Sequence, residues 1–243
     1  MKKSISIVIP MYNEEKNLES SIIGVDNIAK RLFDDYELLV FDDFSQDRTG
    51  EIADRLAKEN RKIKVFHNNK NMNVGYNYRM GIRQASKEYV MLLPSPDSVT
   101  IKSIENFMRK IGEADLVIAY VGNKKARPLN RRVISYLVTI MINILFGLRL
   151  KYFFGIQGYK TRLVKNIKIS TNSFASLSEI PIRLIKKNYL YKELPVYTKK
   201  IENEPSRAFR IKNVVGVISL VFRLFFEIHF AKIIKKLSKR DSN

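Results

Sequence analysis

Apolar residues in the first part of the chain fall into short unbroken runs, and each run ends in a polar or proline-containing cluster. SISIVIP (Ser4–Pro10), YELLVFDD (Tyr36–Asp43), IKVFHN (Ile63–Asn68) and EYVMLLP (Glu88–Pro94) read as strands. Between them lie stretches with helical spacing. The first is NEEKNLESSIIGVDNIAKRLF after a plausible cap at Asn13; the second is SQDRTGEIADRLAKENR with Asp47 and Thr49 as candidate caps; the third is GYNYRMGIRQASK. Strands without polar alternation are buried on both faces, so repeated β-α-β-α predicts a mostly parallel sheet covered by helices. Ligands of such sheets bind beyond the carboxyl ends of the strands. Pro10-Met11-Tyr12-Asn13, Asp42-Asp43 and Pro94–Asp97 all fall at those ends and are expected to share one rim.

The pattern then changes. SIENFMRKI predicts a helix and ADLVIAYV a strand; later, SEIPIRLIKKNY predicts a helix and YLYKELPVYTKKI a strand. VISYLVTIMINILFGL is uncharged and bracketed by Arg131-Arg132 and Arg149, yet shorter than the roughly 20 residues that span a bilayer. It is expected to be a core helix or an interfacial one. The last run, VVGVISLVFRLFFEIHFAKIIKKL, is apolar except for Ser219, Arg223 and Glu227, spaced by four. A spanning helix would bury that stripe in lipid. An interfacial helix would turn it to water and its trailing lysines to anionic head groups, the arrangement expected here over packing on its own domain.

Charge sharpens the division. Of 44 Lys plus Arg and 24 Asp plus Glu in 243 residues, the part up to residue 115 holds equal numbers of each sign, so the net +20 resides in the remainder. No acid occurs from Leu116 to Ser178. A cationic, apolar half calls for an anionic partner, either nucleic acid or a membrane surface. With no cysteine, disulfides, thiolate nucleophiles and thiolate metal sites are excluded. The start, Met1-Lys2-Lys3-Ser4-Ile5, lacks the apolar core of a signal peptide, so a cytoplasmic start is expected.

Several clusters are candidates for chemistry. Asp42, Asp43 and Asp47 at a strand end can accept hydrogen bonds from a base or ribose or hold a cation; alternatively Asp47 caps a helix and the others are solvated. Asp97 on a stiff Pro-Ser-Pro turn suits a divalent ion whose other ligands are diphosphate and water, or caps the helix that follows. Arg131 and Ser135, four apart, share a helix face where the apolar run begins and can form a phosphate pocket. Lys199, Lys200, Arg207 and Arg210 flank ENEPS and read more as a basic loop than as a diphosphate clamp. His67 and His229 have no companion spaced for a metal, so structural roles are expected.

VIPMYNEEKNL, LLVFDDFSQDRTGEIA, NMNVGYNYRMGIRQASKEYVMLL, GYKTRLVK and EIPIRLIKKNYLYKELPVY occur in the order found in family 2 glycosyltransferases. From about residue 4 to 212 the chain resembles that family, and most of all its dolichol-phosphate mannose synthase branch, the polyprenyl-phosphate glycosyltransferases. The resemblance implies an α/β GT-A fold over residues 1–212, with a nucleotide-sugar half about 1–115 and an acceptor-facing half about 116–212, followed by an amphipathic helix and basic tail over 213–243. It implies a UDP- or GDP-sugar donor, Mg²⁺ or Mn²⁺, a polyprenyl phosphate acceptor and an anionic membrane surface as partners. The place is then the cytoplasmic face of the membrane, peripheral or interfacial, and no nucleic acid is expected. By position, Pro10, Tyr12 and Glu14 would line the nucleotide pocket and Asp42 and Asp43 would lie near base and ribose. Arg131 and Ser135 would meet the acceptor phosphate, and Ser206 and Arg207 would close over the donor diphosphate. Asp97 would be the metal ligand.

The chain also departs from the pattern. Pro94-Ser95-Pro96 stands where the family has Asp-x-Asp, with Asp97 one place later. Phe154 replaces the usual acid before Gln157-Gly158-Tyr159, and Glu204 stands where a glycine is common. Two further readings follow. One is transfer to a saccharide hydroxyl, for which Glu179 is the early candidate base. The other is a homologue that only binds membrane or nucleotide.

Overall fold

The apolar runs become the centre of a seven-stranded sheet. In the computed structural model, which describes residues 3–94, 96–199 and 211–238, β1 (Ser4–Met11) lies between β2 (Asp35–Asp42) and β4 (Tyr89–Leu92). β3 (Ile63–His67) flanks β2. With β5 (Leu116–Val121), β6 (Gln157–Lys160) and β7 (Tyr191–Val196), the order is β3-β2-β1-β4-β6-β5-β7. The sheet is parallel except for β6, which runs antiparallel to both neighbours. The chain builds outward from β1 to β3 and returns to β4 on the other side, so a topological switch point lies between β1 and β4.

Alternate side chains of the same strands feed two cores. Ile7, Ile9, Leu38 and Val40 pack under α1 (Leu18–Leu32), α2 (Thr49–Glu59) and α4 (Ile101–Arg109). Val8, Leu39, Phe41 and Leu92 face α3 (Val74–Gln84), α5 (Leu129–Phe146), α6 (Thr161–Lys165), α7 (Ser176–Ile185) and α8 (Ile211–Ser238). α3 crosses close to β1 because Gly81 has no Cβ: one there would meet a Val8 methyl at 2.3 Å. Two acids of β2 are buried, Glu37 in its middle and Asp42 at its end. Glu37 accepts from Ser6 Oγ (2.7 Å), Ser86 N (2.8 Å) and Lys64 Nζ (2.7 Å). Burial pushes its carboxyl up, but Lys64, Ser6 and Ser86 outweigh that and bring it down to about 2.

Three local expectations are corrected. α1 begins at Leu18, and Asn13 is not its cap: it holds φ 53° and its Oδ1 accepts from Gln46 N at 2.8 Å, tying the β1 end to the β2 end. Asp97 does not cap α4 either. Pro96–Ser98 forms a 3₁₀ turn, and Thr100 caps the helix by accepting from Ser103 N.

The third concerns α8. Val217, Leu220, Val221 and Leu224 are buried against the domain, so the helix packs on its own domain, while the stripe Ser219, Arg223 and Glu227 stays exposed at the edge of that contact. Arg223 donates to Ser170, and Glu227 accepts from Arg183 Nη1 (2.8 Å) and Nη2 (2.9 Å). Arg183 also reaches Glu179, which is fully buried, at 2.9 Å. Apolar side chains are exposed as well: Val215, Ile218, Phe222 and Phe226 on α8, and Leu129, Val133, Tyr136, Leu137 and Ile144 on α5. α5 is long and apolar enough to cross a membrane by length and composition, with 17% of it buried inside the protein.

Candidate active site

A cleft of about 1640 Å³ opens beyond the carboxyl ends of β1 and β4, where the switch point predicts a ligand site. Parallel register creates one side. Met11 pairs with Asp42 and Asp43 N donates to Met11 O (2.9 Å), so β1 and β2 stop level, while β4 ends earlier, with Leu92 opposite Val8 and Leu93 N donating to Val8 O (3.0 Å). The expected rim therefore forms, and Pro10, Tyr12, Glu14, Asp43, Pro94 and Asp97 all line the cleft.

Asp43 is the best-fixed acid. It is 4% exposed and accepts from Asn68 Nδ2 (2.8 Å), Met72 N (2.7 Å) and Asn73 N (2.9 Å). A carboxylate offers about four acceptor positions, so one remains for a ligand donor. Those bonds also shape the loop entering α3, where Asn73 takes φ 67°. Gly75 lets that turn approach a facing loop: Gly75 N donates to Asn172 O at 2.9 Å, and a Cβ would meet Ser173 O at 2.5 Å. Asn77, fully buried at the cleft, accepts from Asn68 while its Nδ2 has no partner. Sequence reasoning missed Asn73 and Asn77. The available signal was asparagine at a positive-φ helix entry and a polar residue on the sheet-facing side of an otherwise amphipathic helix.

Asp42 leaves the expected nucleotide set. Its Oδ1 accepts from Ser45 N (3.1 Å) and its Oδ2 meets His67 Nδ1 (3.1 Å), so it braces the loop from behind and does not line the cleft. Burial pulls the His67 imidazole down, but Asp54 and Asp42 outweigh it and raise its pKa.

The opposite wall comes from the basic half. Arg127 and Arg131 stand beside each other at the start of α5, with Arg127 Nη1 on Tyr152 Oη at 3.2 Å. Burial and the neighbouring Arg127 charge hold Arg131 below its usual pKa; as an arginine it stays cationic. Ser135 is not at the cleft, since the next lining position on that helix is Ile134. Tyr152, Phe154 and Phe174 form an aromatic shelf, with Phe154 and Phe174 stacked at 5.3 Å. Gly216, Ser219 and Arg223 bring one edge of α8 to the same wall.

Glu179 is no base for this cleft. It lies outside it with both oxygens engaged, Oε2 by Ser170 N (2.9 Å) and Oε1 by Ser170 Oγ (2.7 Å) and Arg183 Nε (3.0 Å).

At the rim, Asp97 is met by a lysine. Lys199 Nζ lies 3.0 Å from Asp97 Oδ1, and Lys199 N donates to Ser98 O at 3.1 Å. Lys200, Ser206, Arg207 and Arg210 lie outside the described residues. No group of three acids or histidines able to hold a metal ion occurs among the described residues. The residues present at Asp97 therefore do not fit a protein-held divalent ion: the one carboxylate on the turn already faces an ammonium.

A model described as glycosyl transferase family 2 matches residues 6–175. Among curated proteins, the glycosyltransferase GlyG of Streptococcus pneumoniae is 31% identical over 51% of this chain and 40% of its own length. A GalNAc(5)-diNAcBac-PP-undecaprenol beta-1,3-glucosyltransferase of Campylobacter jejuni is 32% identical over 45% of this chain and 35% of its own. A dolichol-phosphate mannosyltransferase of Pyrococcus furiosus is 33% identical over 54% of this chain and 38% of its own. The chain thus spans well under half the length of these curated relatives. Among solved structures, glucosyl-3-phosphoglycerate synthase from Mycobacterium tuberculosis bound to uridine diphosphate has a TM-score of 0.69 at 15% identity, covering 92% of this chain and 80% of that one. Its complex with phosphoglyceric acid gives 0.70 at 17%, covering 91% and 79%. The α/β GT-A arrangement implied by the resemblance is the fold found.

Proposed function

The chain belongs to glycosyl transferase family 2, and from that premise we propose that it moves a sugar from a UDP- or GDP-sugar to a polyprenyl phosphate at the cytoplasmic face of a membrane. The observation that carries this reading is the asymmetry of the cleft. Its acids, Glu14, Asp43 and Asp97, belong to the strand-end side, whereas the opposite wall offers Arg127, Arg131 and Arg223 with no carboxylate among the described residues. A hydroxyl acceptor needs a base to take its proton. An acceptor phosphate arrives ionised and needs cations to place it.

The division of labour follows. Pro10, Tyr12, Glu14 and Asp43 hold the nucleoside. Arg127 and Arg131 position the acceptor phosphate, since paired guanidiniums match phosphate oxygens. A phosphate oxygen attacks the anomeric carbon as the bond from that carbon to the donor diphosphate breaks, the bonding pair leaving with the diphosphate. No proton moves, and single displacement inverts the centre. Rate comes from placing the two anions in line and from fixed positive charge near the departing group.

The exposed apolar faces of α5 and α8 support seating on a bilayer, with the cleft's basic wall at their base where lipid phosphates lie. One relative's name specifies dolichol phosphate; another's specifies a beta-1,3 linkage and a PP-undecaprenol-linked glycan, so both names point to lipid-linked substrates and only the first to a lipid phosphate acceptor. The mycobacterial synthase was solved with Mn²⁺, UDP-glucose and phosphoglyceric acid. The saccharide-hydroxyl reading loses its candidate base with Glu179.

The test is incubation of the purified chain with radiolabelled UDP- and GDP-sugars and vesicles containing a polyprenyl phosphate. Label extracted into chloroform supports the reading; label confined to aqueous glycan, or vesicles that leave the protein in solution, would overturn it.

A further inference from the structure

The Asp97 turn and the segment after β7 form one piece of structure. Thr198 bridges to Val99 in antiparallel fashion, Thr100 N donates to Tyr197 O (3.0 Å), and Lys199 N donates to Ser98 O (3.1 Å). Asn123 seals the other side of the strip, with Thr198 N on its Oδ1 (2.9 Å) and its Nδ2 on Thr198 O (2.8 Å). The backbone therefore fixes where the Lys199 side chain starts, and Asp97 fixes where it ends. Both residues line the cleft beside Pro94, the position from which a metal-holding pair would project in the expected pattern. A surface ion pair between long side chains contributes little to stability, so the fold has small use for this one.

Resting on the glycosyl-transfer reading, we propose that Lys199, oriented by Asp97, supplies the positive charge against the donor diphosphate that a divalent cation would otherwise supply. An ammonium and a divalent ion can do the same electrostatic task, facing the oxygens where negative charge develops as the sugar–phosphate bond breaks. A carboxylate holding a lysine has a different task from one holding a metal. It keeps the ammonium aimed, and it lowers the cost of leaving that charge in the cleft before the donor arrives. Asp97 is then a positioning residue and Lys199 the group that meets substrate.

The experiment is calorimetry of the full chain with UDP and with GDP, once in EDTA and once in excess Mn²⁺ or Mg²⁺. The expected result is binding in EDTA that metal changes by no more than about twofold. Lys199→Ala weakens it about tenfold, the scale of one charge-assisted contact, while Lys199→Arg retains most of it. Asp97→Asn weakens it several-fold equally with and without metal. The thermal midpoint of Lys199→Ala stays at that of the parent, separating lost binding from lost folding. Binding that appears only with metal, or Lys199→Ala matching the parent, overturns this inference and leaves the glycosyl-transfer reading standing. A parent that binds neither nucleotide under either condition sinks both.

Discussion

The two sides of the cleft use charge in opposite ways. On the strand-end side the acids are mostly consumed by the protein itself. Asp42, Asp43 and Asp47 accept from Ser45 N, Met72 N, Asn73 N, Thr49 N and Glu15 N, so each one fixes a loop. On the α5–α8 side, Arg127 and Arg131 approach each other with no acid supplied between Leu116 and Ser178. Like charges held together in a cleft cost free energy, and groups perturbed in this way mark candidate ligand sites. Carboxylates at a strand end are thus weak evidence for a ligand until their hydrogen bonds are known. Juxtaposed arginines are stronger evidence.

The sharpest way to break this contrast is Arg131→Ala. It should lower lipid-directed transfer roughly 100-fold or more, the scale of one lost contact to a reacting anion, while leaving the thermal midpoint in place. A stable variant with parental transfer in the chloroform assay would remove the basic wall from the site. Next, replacing Phe222 and Phe226 together by serine takes two exposed rings from the outer face of α8. At about 1.5 kcal/mol for each half-buried ring, partition onto anionic vesicles measured by flotation should fall by roughly 100-fold, with soluble nucleotide binding unchanged.

Glu37→Gln sharpens the acid side, because Glu37 is purely internal. It should cost about 2 kcal/mol in denaturant unfolding, since a buried charge partner of Lys64 is lost while two serines keep an acceptor. The linked pH dependence has a fixed sign. The folded carboxyl lies at about 2, below its ordinary 4.5. Its contribution is complete above pH 4.5 and drains away as the pH falls toward 2, a loss the glutamine variant should not show. The smallest effect belongs to Thr100→Ala, about 1 kcal/mol for a lost cap, whereas Asp97→Asn should leave unfolding almost unchanged. Equal losses for both would return Asp97 to the capping role that the sequence suggests.

Most of the sheet was legible because continuous apolar runs such as Ile7–Ile9 and Leu38–Phe41 have few alternatives to a buried parallel strand, and strand ends must then align. What escaped depended on rotation and distance. Ser135 follows Arg131 by four residues, yet the offset that four residues leave on a helix is enough for Ile134 to take the cleft position instead. The stripe Ser219, Arg223, Glu227 carries the same period whether its exposed side chains meet water alone or also bond the domain. Its partners, Ser170 and Arg183, lie 53 and 44 residues away, beyond any local pattern. Lys199 beside Asp97 spans 102 residues and was equally invisible. β6, four residues with polar ends and one glycine, was too short to announce itself.

Arg183 holds a fully buried glutamate with one part of its guanidinium and Glu227 of the last helix with another. That single fork ties the C-terminal segment to the interior, and the same segment closes the cleft through Gly216, Ser219 and Arg223. Truncating the chain ahead of residue 214 to gain solubility would therefore forfeit more than a greasy appendage. It would unroof the chamber and leave the Glu179–Arg183 pair open to solvent, yielding a tractable protein with a dismantled basic wall.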